Sequence, residues 1–252
     1  DFIPLPFCFD AFAPQQGLNF LDLLLFCESA NFFVDIGDIV APAHIFNESF
    51  VTEFGGKKWW RIKHAKERIN AIQTKQLFAR FPELKQKVSF SSKLGIFSYP
   101  FRYPITEEFL EFLGYYIAEG HASSSNYFII SLRESFLYEK GKELGRFLNF
   151  PFSIRPSGDL QFNQSVWNHI LKKMCGTRSG EKHLPEFWPQ LDKKQLGILL
   201  SAYFSGDGCV ESSTVSCTTK SKQLASDICY ALSRFDIWAR IKKKLKYATN
   251  TL

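Results

Sequence analysis

From about residue 104 the chain repeats itself, and this constrains its fold more than any single motif does. One helical stretch runs through Phe109, Phe112, Leu113, Tyr116 and Ile117 to Glu119-Gly120. A second runs through Leu196, Leu199, Leu200 and Phe204 to Asp207-Gly208, its acid 88 positions after the first. Each is followed by a strand-like segment, Tyr127 to Leu132 and Ser213 to Thr219. A basic residue comes next, Arg133 and Lys220, lying 14 and 13 positions after the respective acids. An apolar helix follows each: Leu137, Leu144 and Leu148 in one copy, Leu224, Ile228, Leu232 and Phe235 in the other. The next strand carries a basic residue 22 positions after the previous one, Arg155 and Lys242. The first copy continues through a Pro156-Ser-Gly-Asp159 turn into a strand over Leu160 to Gln164. The second reaches Leu252 before an equivalent strand and final helix, so we expect an incomplete second half.

The two long helices have legible starts and a legible face. Thr106 precedes Glu107 and Glu108, and Asp192 precedes the second apolar run; both are N-cap residue types. Gly114 and Ala118 lie four apart on one helix, and Ala202 and Gly206 lie four apart on the other. Small residues at that spacing share a face and allow two helix backbones to approach closely. Packing those faces together brings Glu119 and Asp207 side by side at the helix ends. An acidic-Gly pair at one helix end is by itself an ordinary C-cap; its duplication in matched surroundings points to a paired-carboxylate site. Two adjacent carboxylates repel unless a divalent cation neutralises them. Hard oxygen ligands suit Mg²⁺ (or Mn²⁺), which retains waters and accepts phosphate oxygens. Such an ion activates water for attack on a phosphodiester and stabilises the leaving oxygen.

The helix ends read Phe112-Leu-Gly-Tyr-Tyr-Ile-Ala-Glu-Gly120 and Leu200-Ser-Ala-Tyr-Phe-Ser-Gly-Asp-Gly208. They resemble the LAGLIDADG motif of homing endonucleases and of the endonuclease domains within archaeal inteins. Cys217-Thr-Thr-Lys-Ser-Lys-Gln-Leu-Ala225 is similar to the segment that carries the family's active-site lysine. The resemblance covers roughly residues 100–252. It implies an α+β fold of two pseudo-twofold αββαββα repeats, forming a saddle of antiparallel sheets in the DNA major groove. It also implies Glu119 and Asp207 as metal-binding acids, with Lys220 stabilising phosphate charge or activating water. Glu119 departs from the more usual Asp but keeps the carboxylate. Arg133, matched to Lys220, cannot act as a base and is expected to act electrostatically.

Charge is unevenly laid along the chain. Residues 1–56 carry eight acidic groups and no Lys or Arg, whereas residues 57–102 carry twelve basic and two acidic groups. We therefore expect four regions: an acidic N-terminal extension (1–56), a basic linker or accessory DNA-binding segment (57–102), a first repeat (103–190) and a second (191–252). Gly55-Gly56 marks the first boundary, and Trp59 to Phe81 reads as a basic helix. The six cysteines lack CxxC or zinc spacing, consistent with free thiols in a reducing, cytosolic setting. Apolar runs such as Leu23 to Phe26 are too short to span a membrane.

For DNA contact, Trp238 to Lys246 reads as a strand with Trp238, Arg240, Lys242, Lys244 and Lys246 on one face. In the first copy Gln161 and Asn163 alternate with Leu160 and Phe162. With Arg155, these supply phosphate contacts and amide groups able to read adenine edges. The leading expectation is a monomeric, site-specific double-stranded DNA endonuclease, free-standing, intron-encoded or within an intein. Its competitors are a non-cleaving LAGLIDADG nucleic-acid-binding protein or RNA maturase, and an unrelated α+β domain. Asp1 and the Thr249-Asn250-Thr251 ending lack splicing residues, so any splicing elements would lie outside this sequence.

Overall fold

A computed structural model describes residues 102–123 and 126–244, with short stretches before them at 17–19, 32–35, 69–70, 78–79, 82, 89–92 and 98–100. Helix α1 (Glu107–Glu119) starts where its N-cap predicts: the Thr106 hydroxyl accepts from Phe109 N at 3.2 Å. Helix α4 (Lys193–Asp207) starts with a capping box, Asp192 accepting from Gln195 N at 2.7 Å while Gln195 accepts from Asp192 N at 3.2 Å. Between them lie α2 (Ser135–Phe147) and α3 (Ser165–Cys175), and α5 (Lys222–Ser233) follows. Five α-helices and several antiparallel sheets among the described residues make this a mixed α and β protein.

Between α1 and α3 lies a four-stranded antiparallel sheet in the order β7-β8-β10-β9: β7 (Gly120–Ala122), β8 (Phe128–Ile130), β9 (Phe152–Ile154) and β10 (Leu160–Phe162). Pairing aligns Ala122, Phe128, Phe162 and Phe152 in one row across it. That row packs inward, where Phe112 meets Phe128, Phe150 and Phe162 edge-on at centroid distances of 5.3–5.9 Å. Burying aromatic rings of this size stabilises by about 2–3 kcal/mol each. The neighbouring row, His121, Ile129, Gln161 and Ser153, lies on the other face, because strand side chains alternate. The Arg155–Asp159 turn closes the hairpin, with Gly158 at φ +85° where a side chain would be strained.

After α4, β11 (Gly208–Glu211) and β12 (Thr214–Cys217) form a hairpin that pairs with no further strand among the described residues. The strand expected over Trp238 to Lys246 is not formed at residues 238–244, and its last two positions lie outside the described residues. Alternation alone does not make a strand, and residues 238–244 have no ladder partner among the described residues. Val210 and Val215, matched in register to the fully buried Ala122 and Phe128, stand 74 % and 63 % exposed.

The region before α1 also departs from expectation. Ile69–Asn70 (β3) is a strand, so Trp59 to Phe81 is not one continuous helix. Local helical periodicity loses there to a nonlocal ladder, Val34 pairing with Ile69 and Phe33 with Asn70. Strands β2 (Phe32–Asp35), β4 (Ser89–Ser92) and β5 (Ser98–Pro100) complete that sheet in the order β3-β2-β4-β5, and β1 (Gly17–Asn19) pairs with β6 (Arg102–Pro104). Strands from both sides of Gly55-Gly56 thus share one sheet. Tyr99 and Phe78 are buried, and Tyr99 and Tyr103 meet the Trp167 ring of α3 edge-on. No described helix is long and apolar enough to cross a membrane.

Candidate functional site

Helices α1 and α4 lie side by side in parallel, held at their starts by an exposed Lys194–Glu107 ion pair. Their contact runs through the small residues singled out above. A Cβ added to Gly114 would stand 2.5 Å from Ala202 Cβ and 2.5 Å from the Leu199 carbonyl oxygen. One added to Gly206 would stand 2.7 Å from Ala118 Cβ and 3.4 Å from Glu119 Cγ. The separations from Ala202 Cβ and Ala118 Cβ are below ordinary carbon contact, so the backbones meet at the closest approach that glycine permits.

Glu119 and Asp207 are the last residues of these helices. The glycines after them are not left-handed caps: Gly120 and Gly208 have φ −89° and −79° and open strands β7 and β11 directly. A Cβ there would lie 2.3 Å from Tyr116 O and 2.2 Å from Phe204 O respectively. Glycine lets each chain pass from helix to strand with no loop.

The acids are half-buried and electrostatically coupled. Burial pushes the Glu119 carboxyl above its ordinary pKa; Asp207 raises it further, and Arg133 draws it back. Burial likewise raises Asp207, against the charge of Lys182. The described residues gather no group of three or more His, Cys, Asp or Glu side chains that could hold a metal ion. The two carboxylates are hard oxygen donors of the kind that fit a hard divalent cation.

Lys182 is a member of this site that sequence reasoning missed. It lies in the connection between α3 and α4 and is only 3 % exposed. Its ammonium donates to Tyr116 O at 2.7 Å and sits 3.7 Å from the Tyr116 ring centroid. Burial lowers its pKa to about 7, opposed by Cys175 and Asp207. The connection is shaped by Gly176, at φ +79°, whose added Cβ would strike Glu181 O at 2.2 Å. It is pinned to α1 by the Tyr116 hydroxyl, which donates to Gly176 O at 3.0 Å. Nothing in the local pattern marks a loop lysine as buried.

The other expected residues fall into two groups. Arg133 and Lys220 each stand immediately before an N-cap, Glu134 of α2 and Ser221 of α5. Arg133 acts on Glu119, donates to Ser157 O at 3.0 Å and pairs with Asp159 at 3.3 Å. Lys220 is exposed, and the lysine acting on Asp207 is Lys182. Gln161 and Asn163 share one face of β10 and its continuation, their amides joined at 2.8 Å. Arg155 opens the adjoining turn. Arg240, Lys242 and Lys244 are exposed, in chain that joins no sheet among the described residues.

Residues 194–251 match the family model of the LAGLIDADG-like domain. The chain is 29 % identical over 153 residues to a replication factor C small subunit of Methanocaldococcus jannaschii, covering 57 % of this chain and 8 % of that protein. It is 31 % identical over 150 residues to the same subunit of Thermococcus kodakarensis, covering 53 % and 16 %. It is 30 % identical over 160 residues to the DNA-directed RNA polymerase subunit Rpo1C of M. jannaschii, covering 59 % and 18 %. The chain therefore spans less than a fifth of the length of these relatives.

Proposed function

We propose that this chain is the endonuclease part of a mobile inserted element, cutting both strands of a specific DNA site. The observation carrying this reading is the meeting of Glu119 and Asp207 at the ends of two tightly crossed parallel helices, each acid followed at once by a strand. The comparisons support the setting. Matches to a replication factor C small subunit and to a DNA-directed RNA polymerase subunit each cover more than half of this chain, so they overlap on it. A segment common to proteins of such different names behaves as an insert, of the kind an intein carries.

In this reading Glu119 and Asp207 would hold Mg²⁺ (or Mn²⁺), which would supply activation of water and neutralisation of phosphate charge. Their raised pKa values match a site whose acids await a cation. Lys182, buried beside them, presents a hydrogen-bond donor and positive charge to the reacting phosphate, and near neutrality it can hold or release a proton. Arg133 adds charge on the Glu119 side. Gln161, Asn163 and Arg155 face DNA from the first sheet, while Lys220, Arg240, Lys242 and Lys244 approach its backbone from the second repeat.

The test is linearisation of a supercoiled plasmid library with Mg²⁺, Mn²⁺ or EDTA. Metal-dependent cutting is expected, lost in Glu119→Gln and in Asp207→Asn while DNA affinity remains. Binding without cutting in the parent chain would favour the maturase-like binding module; cutting by both variants at the parent rate would remove the acids from the site.

A further inference from the structure

Lys182 is held from two sides, and the second side belongs to the other repeat. The Ser221 hydroxyl donates to Lys182 O at 2.5 Å and accepts from Leu224 N at 3.1 Å, so one side chain both caps α5 and grips the lysine's own carbonyl. Two residues along, Leu184 N donates to Asp227 Oδ2 at 3.0 Å, while Asp227 Oδ1 accepts from Gln223 at 2.7 Å. Ser221 is 3 % and Asp227 8 % exposed. From this anchored backbone the lysine side chain reaches Tyr116 O, in the last turn of α1.

We propose that Ser221 and Asp227 are positioning residues that tether residues 182–184 to α5, so that the Lys182 ammonium is set beside the acid pair only when both repeats are correctly docked. A lysine side chain has many rotamers to lose when it is ordered. Fixing its backbone at two points leaves less to be ordered when the ammonium engages the phosphate. The strap joins α1 of the first repeat to α5 of the second, so a shift of α5 would reach the chemistry without touching either acid. The functional consequence rests on the nuclease reading; the tether itself rests on side-chain geometry.

The experiment compares Ser221→Gly, Ser221→Thr, Asp227→Ala and Asp227→Asn. Glycine is well tolerated at an N-cap, so Ser221→Gly removes the hydroxyl without removing the helix start. Threonine keeps the hydroxyl and asparagine keeps an acceptor for Leu184 N. Single-turnover cleavage of the plasmid library is expected to slow on the order of tenfold to a hundredfold in Ser221→Gly and Asp227→Ala. Their DNA affinity with Ca²⁺ should be unchanged and their pH–rate profile displaced, and the Thr and Asn variants should recover toward the parent. Acylation of Lys182 by an amine-reactive ester, read by peptide mass spectrometry, should rise in the Gly and Ala variants. Parent-like rates and pH profiles in both would overturn the proposal, as would unchanged Lys182 acylation. Should the parent cut no DNA, the nuclease reading fails, and the acylation result alone decides the tether.

Discussion

Replacing Gly206 with alanine tests the closeness of α1 and α4 most directly. The new methyl carbon would sit 2.7 Å from Ala118 Cβ, beside both acids. Ordinary carbon contact begins near about 3.5 Å, so the helices must part by roughly 1 Å at the point where Glu119 and Asp207 meet. Overpacking of this kind costs up to about 3 kcal/mol, and the helical preference of alanine over glycine returns about 1 kcal/mol. A net loss of roughly 2 kcal/mol follows, equivalent to a fall in Tm of about 4–8 °C for a domain of this size. Gly114→Ala should behave alike, since its methyl meets the Leu199 carbonyl, which cannot rotate away. Gly197, on the same helix, is the control: its added Cβ would meet only the Phe235 ring at 3.8 Å. Gly197→Ala should therefore raise stability by roughly 0.5–1 kcal/mol. Thermal and urea unfolding measure all three, and single-turnover cleavage should drop on the order of a hundredfold in Gly206→Ala. If Gly206→Ala and Gly114→Ala unfold at or above the temperature of Gly197→Ala, the packing argument is wrong.

Three further outcomes follow from the electrostatics. Glu119 and Asp207 have raised pKa values, so the folded state holds extra protons as pH rises through their range, and stability falls there. Glu119→Gln and Asp207→Asn should accordingly melt higher than the parent in EDTA at neutral pH, an advantage that Mg²⁺ titration narrows. Lys182 has the opposite sign: the unfolded chain binds its proton more tightly, so stability should climb with pH from about 7 toward the ordinary lysine value. In Lys182→Met that climb should flatten in pH-dependent urea unfolding, with cleavage lost. DNA affinity should fall steeply with salt, the logarithmic slope approaching about −0.9 for each phosphate contacted; a flat response in a filter-binding titration would count against the charged surface.

What the sequence revealed was what local chemistry controls. Thr106 and Asp192 announced both long helices because an N-cap is a matter of neighbouring backbone groups. Gly114, Ala118, Ala202 and Gly206 announced the helix contact because their spacing is itself a geometry. Trp238 to Lys246 misled because alternation prepares a strand, and only a partner completes one. Ile69 misled the other way, its helical spacing overruled by pairing with Val34. Lys182 was hidden because charge is written in the sequence and burial is not. Its environment is assembled from α1, the α3–α4 connection and α5, spread over more than a hundred positions.

The missing loop between each acid and its strand has a consequence for how such a protein could change its target. Helix, carboxylate and first sheet residue form one stiff piece, and His121, the first outward side chain, is only two positions beyond Glu119. In the proposed nuclease, side chains across that sheet could be exchanged to read other bases, but the point of scission would keep its phase relative to them. Specificity would then drift while the place of the break stayed locked to what is read.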